Sequence, residues 1–453
     1  MRLFPPPLDI GPTEGFSPDK DIFGRAELGR GLANLVKTVS DPLVIGVDGQ
    51  WGSGKTTFLK MWAGQLRKDG FPVIYFDAFE HDYLDDAFMA VAGEIIALVK
   101  AKKKSSTPAG KRFLRKAITA GRIIAKAGIR VGAKAATLGA LDGTEFKDVA
   151  GDVGDAIADV SDDYLGKLLV AREQERNALE DFRSALMELP ALLANSNSEA
   201  AARPLVFILD ELDRCRPTFA LEILERIKHF FSVGNVHFVL GIHSAQLHNS
   251  IVLTYGPSID AAKYLQKFIS LMFFLFDRAD NQRDRTARKF VSYLARVLEF
   301  DSKDNELVDT ATSIIGDIAV ERDMSLREIE RVMTTLAIAV SYTPKNYFRP
   351  AVILAGLAIL KIVAPDLYVK AKRGTLTYDE VQAVLHLEKG ADDDSVIHRR
   401  EWVAKWWRFG TDGVADDDFK SGMQKLSWDY NIRDGKVIVP MIANDVIDRF
   451  VPR

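Results

Sequence analysis

The sequence predicts an α/β protein: a core on a mainly parallel five-stranded sheet, an inserted helical hairpin and a C-terminal helical lid. Three observations carry this expectation. Gly49-Gln50-Trp51-Gly52-Ser53-Gly54-Lys55-Thr56 fits Gly-x4-Gly-Lys-Ser/Thr, the pattern of a phosphate-binding loop. Short, almost wholly apolar runs recur before residue 277, as strands covered on both faces require. From Asp277 onward the apolar spacing is helical almost throughout.

Each element follows in chain order. Residues 1–20 are rich in Pro and Gly and read as an arm. Asp21-Ile22-Phe23-Gly24-Arg25 leads into a helix with Leu28, Leu32, Leu35 and Val39 on one face, placed to lie over a nucleotide base or simply to pack. Pro42 to Asp48 reads as the first strand, and Phe58, Leu59, Met61, Trp62 and Leu66 follow at helical spacing. Strand, glycine-rich loop and helix are what phosphate binding needs. Glycines let successive N–H groups face one anion, and the helix N-terminus adds its positive end. The candidate phosphate ligands are therefore Gly49, Gln50, Trp51, Gly52, Ser53, Gly54, Lys55, Thr56 and Thr57. Lys55 can reach β- and γ-phosphates, and the Thr56 hydroxyl can ligate Mg²⁺.

Pro72 to Asp77 is the second strand. Glu80 and Asp82 follow it, close enough in sequence to approach a metal or an attacking water, though a solvated loop explains them as well. Residues 101–163 shift in composition. Lys111 to Lys134 carries basic residues and no acidic one, with Arg122, Lys126, Arg130 and Lys134 on one helical stripe. Asp148, Asp152, Asp155 and Asp159 form an acidic stripe beyond a turn at Gly139 to Thr144. The economical reading is a hairpin zipped by charge. The alternative is a basic helix lying on an anionic membrane surface or on nucleic acid.

A long helix from Asp162 to Leu193 returns the chain to the sheet domain. Pro204 to Leu209 is an apolar strand ending in Asp210 and Glu211. Downstream of a phosphate-binding loop, such a pair reads as the second half of an ATP site. Asp210 would hold the Mg²⁺ shell and Glu211 would polarise the attacking water. Val236 to Ile242 is the next strand. His243 at its tip is open to two readings, a γ-phosphate sensor and a structural histidine. Tyr264 to Phe276 supplies the fifth strand with its lead-in helix.

In the helical part, Ser325 and Glu328 make a capping box, which puts Arg327 in a first turn where its charge opposes the helix dipole. That placement suggests an anion within its reach. Arg327 is the candidate for stabilising transferred phosphate within the chain, and Arg214 is the candidate for acting across a subunit boundary. Ala351 to Ala364 reads as a buried helix, Trp402, Trp406, Trp407 and Phe409 as core with a partner-docking face as the alternative, and Val437-Ile438-Val439 as a short final strand.

Composition narrows the class. The chain has 453 residues, enough for two or three domains, and its 47% hydrophobic and 27% charged content is that of a soluble globular protein. A net charge of −3 leaves no overall nucleic-acid footprint. The single cysteine, Cys215, excludes an intrachain disulfide and suits the cytoplasm. The N-terminal stretch lacks a signal-peptide core, and no apolar run is long enough for a transmembrane segment. Peripheral membrane contact would have to come through the basic run. ATP is expected over GTP because no Asn/Thr-Lys-x-Asp motif occurs; Pro344-Lys345-Asn346-Tyr347 lacks the aspartate.

With both nucleotide motifs placed, the chain resembles the KAP family of P-loop NTPases from about Asp21 to Tyr368. The residues that carry the resemblance are Asp21 to Arg25, Gly49 to Thr57, Phe76-Asp77-Ala78-Phe79, Phe207 to Cys215, Tyr264 to Lys267, Arg327 to Arg331 and Pro365 to Tyr368. The resemblance implies an ATP-binding P-loop NTPase core with a helical lid. It also implies an insert between the two motifs that often carries membrane helices. Here that insert is charged, Phe79 stands where the family usually has Trp, and His243 stands where Asp is expected. Bacterial members often look like phage-defence or plasmid-exclusion components. The readings together predict Mg-ATP hydrolysis used as a conformational switch, by self-association or with a protein partner; the alternatives are a nucleotide-gated scaffold whose slow hydrolysis only resets binding, and a DNA-stimulated or membrane-surface ATPase acting through the basic insert. The expected divisions are 1–20 (arm), 21–100 with 164–276 (core), 101–163 (insert), 277–370 (lid) and 371–453 (tail).

Overall fold

The computed structural model describes residues 2–448 except 7, 85, 121–161, 195–202, 276–279, 345, 388–393, 418, 420–429, 431 and 433. The two charged stripes, Arg122 to Lys134 and Asp148 to Asp159, lie outside the described residues.

Five strands form one sheet in the order β2-β3-β4-β1-β5, and every pairing is parallel. They are β1 (Leu43–Asp48), β2 (Val73–Asp77), β3 (Leu205–Asp210), β4 (Val236–Ile242) and β5 (Leu271–Phe274). Both β3 and β4 are buried along their whole length, which is why their sequences show no polar alternation. The pleat nevertheless divides them. Leu205, Phe207 and Leu209 enter one apolar cluster with the helices Ala87–Ala101 and Pro217–Arg226; Val206 and Ile208 enter another with Lys55–Lys68 and Ala26–Thr38. The sheet is thus covered by helices on both faces. Its C-terminal strand ends are left free for loops, the usual ligand edge of such sheets.

Residues 108–120, the start of the basic run, are helical. Their apolar side, Phe113, Ala117 and Ala120, is buried in the first cluster, and Lys116 pairs with Asp181 at 3.1 Å. The helix Asp162–Leu193 then closes that face through Phe182, Leu186 and Leu189.

A third apolar cluster runs from Ala287 to Ile447 and is helical. The helix Ala351–Val363 is buried from Val352 to Leu360, and at about 1.5 Å per residue it is too short for a bilayer. Among the described residues no helix is long and apolar enough to cross a membrane. Trp407 packs its ring directly on Gly356, so this aromatic belongs to the core. The Tyr368 hydroxyl lies 3.0 Å from Asp448 and 3.2 Å from the Ala443 carbonyl, joining the helix Pro365–Arg373 to the C-terminal helices.

One sequence expectation is corrected here. Val437-Ile438-Val439 is not a strand: Gly435–Val437 is a 3-10 turn and Ile438–Ile442 an α-helix. Three apolar residues have no intrinsic periodicity. These fall among helices, where no strand edge is offered, and Ile438 and Val439 bury against the lid cluster instead.

Candidate functional site

The phosphate-binding loop leaves the C-terminal end of β1 and enters the helix Lys55–Lys68. Gly52 (φ +79°) and Gly54 (φ +78°) adopt the left-handed conformation the curl demands. A buried arginine fixes the loop from behind. Arg25 donates to the carbonyl oxygens of Ser53 (3.1 Å) and Gly54 (3.4 Å). Holding those carbonyls outward leaves the loop N–H groups for the concave side. Burial lowers the Arg25 pKa to about 10, opposed by Asp21, so it stays charged at neutral pH. Asp21 also accepts from the backbone N–H of Arg25 (2.8 Å) and Ala26 (2.9 Å), capping the helix that follows.

Lys55 is nearly buried. Its ammonium donates to the Gly49 carbonyl at 3.1 Å and lies 3.5 Å from the Asp213 carboxylate. The other Asp213 oxygen accepts the Trp51 indole N–H at 2.5 Å.

The strand β3 delivers Asp210 and Glu211 beside the loop. Asp210 is fully buried and accepts from the Tyr75 hydroxyl (2.7 Å) and the Glu211 N–H (2.9 Å). Gly241 on β4 leaves the room it occupies, since a β-carbon there would overlap the carboxylate. Burial raises the Asp210 pKa; hydrogen bonds from Thr56 and Tyr75 oppose the rise. Tyr75 is in turn pushed up by burial and by the Asp210 charge. Glu211 has a left-handed backbone (φ +59°) and is gripped by Arg214 at 3.0 and 3.1 Å. Burial raises its pKa, with Arg214 opposing.

The lid reaches the same place. Leu326 donates its N–H to the Gly52 carbonyl (3.2 Å), and a β-carbon on Gly52 would stand 3.1 Å from the Arg327 Cβ. Gln50 to Thr56, Glu211, Asp213, Arg214 and Arg327 line one cavity of about 250 Å³. A second cavity, about 450 Å³, opens beside it, lined by Asp48, Gly49, Trp51, His243 and Phe274 on the sheet side and by Ala319, Val320 and Asp323 to Leu326 from the lid, among others. The structure therefore brings Lys55, Thr56, Glu211, Arg214 and Arg327 together, with Asp210 beneath. Thr57 lies half-buried on the helix. His243 sets its ring edge-on to Trp51 at 5.7 Å, while the neighbouring Ser244 hydroxyl donates to Asp48 at 2.5 Å. Asp82 is taken by Arg216 at 2.9 Å, and Glu80 is exposed, so neither carboxylate lines the smaller cavity.

Sequence reasoning missed Arg25, Tyr75 and Asp213 as members of the site. Phe23-Gly24-Arg25 before a helix was the only signal for the first. For Tyr75, a tyrosine in an apolar strand has no mark of its own. Asp213 was hidden in the run that also holds Asp210 and Glu211.

The donor set suits a hard cation. Asp210 and Thr56 offer only oxygens, and a buried carboxylate benefits from a nearby positive charge. Among the described residues no group of three or more His, Cys, Asp and Glu forms a metal cage. Mg²⁺ ordinarily takes one or two protein ligands, with phosphates and water completing its shell.

A model of the KAP family P-loop domain matches residues 26–343. No curated protein sequence matches. Among solved structures, the chain is similar to the Aeropyrum pernix ORC2 protein in its ADPNP-ADP complexes, at 11% identity and a TM-score of 0.37, covering 98% of this chain and 97% of that one. The ADP form of the same protein gives 11% identity and a TM-score of 0.36 over 98% and 97%. A DNA replication initiation factor gives 10% and 0.27 over 96% and 99%.

Proposed function

The chain belongs to the KAP family of P-loop NTPases, and on that premise we propose that it binds Mg-ATP and hydrolyses it, using the cycle as a conformational switch between sheet domain and lid. The observation that carries this reading is the single cavity shared by the phosphate-binding loop, Glu211 and Arg327. Loop N–H groups and Lys55 hold the β- and γ-phosphates. Thr56 and Asp210 would hold Mg²⁺, which neutralises charge on the transferring phosphate. Glu211 orients and deprotonates the attacking water, and its raised pKa fits a base. Arg327 lines the cavity from the lid and its backbone lies against Gly52, so nucleotide and lid position would be coupled through that glycine.

Arg214 is the second arginine of the mechanism. Its hold on both Glu211 carboxylate oxygens, through one guanidinium nitrogen, supports positioning within the chain. Action across a subunit boundary is the alternative, and it predicts that mixing Arg214→Ala with Glu211→Gln protein restores turnover. By family analogy the switch serves anti-phage defence, which phage plating on cells carrying wild-type or Lys55→Ala protein tests directly.

The decisive experiment is ATP binding and phosphate release by the purified full chain. Lys55→Ala should lose binding. Glu211→Gln should retain it and hydrolyse about 10²–10⁴-fold more slowly. Wild-type turnover in Lys55→Ala sinks the proposal.

A further inference from the structure

The side chain nearest to Lys55 in charge terms is not a phosphate ligand. Asp213 has 1% side-chain exposure, lies 3.5 Å from the Lys55 ammonium, and belongs to the wall of the smaller cavity. It is held in place by an unusual partner: the Trp51 indole, itself part of the phosphate-binding loop, donates to one carboxylate oxygen at 2.5 Å. The second oxygen is buried and accepts no hydrogen bond from the described residues. Lys55 directs its remaining interaction to the Gly49 carbonyl within the loop.

We infer that Asp213, clamped by Trp51, is a residue that sets nucleotide affinity and selectivity by sharing Lys55 with the phosphate chain. The inference rests on the ATPase reading of the same cavity. Its physics is like-charge proximity. A phosphate that takes Lys55 must stand beside a buried carboxylate whose charge is little screened by water. The same carboxylate competes for the ammonium hydrogens. Both effects weaken binding, and both grow with the negative charge brought to Lys55. A triphosphate therefore meets more opposition than a diphosphate, and Asp213 keeps the site from holding ATP too tightly to turn over. Trp51 is what makes the opposition firm: its N–H holds one Asp213 oxygen and fixes the direction of the carboxylate.

The test is equilibrium binding of ATP and ADP, each with Mg²⁺, to the full chain. Asp213→Asn keeps the acceptor for the indole and removes the charge. It should tighten ATP binding by about tenfold or more, the scale one close like charge supports at an effective dielectric near 20. ADP should gain less, and the lower KM for ATP should come with a lower kcat. A purely structural role predicts the reverse: weaker binding and an unchanged ATP-to-ADP affinity ratio. Asp213→Ser, also neutral but smaller, repeats the test if the asparagine variant does not fold. Equal or weaker ATP binding in a folded neutral variant overturns the inference, as does an equal gain for both nucleotides. Lys55→Ala separates the two levels. If wild type binds ATP, Lys55→Ala does not, and Asp213→Asn matches wild type, only the Asp213 role falls. If wild type binds neither nucleotide, the ATPase reading and this inference fall together.

Discussion

The guanidinium of Arg25 hydrogen-bonds the Ser53 carbonyl at 3.1 Å, joining the segment before the first helix to the back of the phosphate-binding loop. The contact is buried, and the arginine is charged. Hydrogen bonds from charged groups contribute about 1.5–3 kcal/mol each, and losing this donor strands two loop carbonyls. Arg25→Met should therefore lower the melting temperature and weaken ATP binding together. Isothermal binding beside thermal unfolding checks this; unchanged affinity in a destabilised variant would confine Arg25 to the fold.

Gly52 is where the lid touches the loop. Its φ of +79° disfavours any side chain, and a β-carbon would stand 3.1 Å from the Arg327 Cβ and 3.3 Å from the Arg327 backbone nitrogen. Gly52→Ala should push the lid helix Leu326–Tyr342 off the loop as well as strain the loop. The expected result is reduced turnover with greater protease access to the lid. Protection equal to wild type, with wild-type turnover, would contradict coupling through this contact.

Arg327→Ala tests the lid's chemical part. Arginines that stabilise transferring phosphate contribute about 10³–10⁵-fold in kcat. Arg327→Ala should lower kcat strongly while ATP still binds. A change confined to KM would make Arg327 a binding residue.

The Asp448 carboxylate, packed on the helix Pro365–Arg373, predicts a pH dependence. Burial alone would raise the Asp448 carboxyl, but hydrogen bonds from Lys372 and Lys361 outweigh it and hold the pKa below its usual value. A carboxylate depressed in the folded state stabilises at pH above its unfolded value, about 3.9, and loses that contribution as pH falls through the folded value. Asp448→Asn should thus melt a few degrees below wild type at pH 7, and the gap should shrink below about pH 4. A gap that stays constant down to pH 3 would show that charge is not the cause.

Much of this protein is legible in its residues alone. The Gly-x4-Gly-Lys-Thr octet between an apolar run and a helical spacing is a local pattern, so the loop, Lys55 and Thr56 could be located without tertiary information. Asp210 and Glu211 were found the same way, at the end of a strand whose wholly apolar run already implied burial on both faces. Helix starts such as Ser325–Glu328 are also local, because a capping box closes within one turn. What only the tertiary structure decided is which distant groups share the cavity. Strand order brings β3 beside β4 and places β1 on the far side of β4, an arrangement no single segment encodes. Arg25 reaches Ser53, Tyr75 reaches Asp210, Trp51 reaches Asp213, and Arg327 lies against Gly52 through packing of segments far apart in the chain. The three residues of Val437-Ile438-Val439 show the same limit from the other side. Their β-branched side chains favour a strand, but that preference depends on context and is overridden by burial among the surrounding helices. Local backbone chemistry wrote the motifs; long-range burial assembled them into a site.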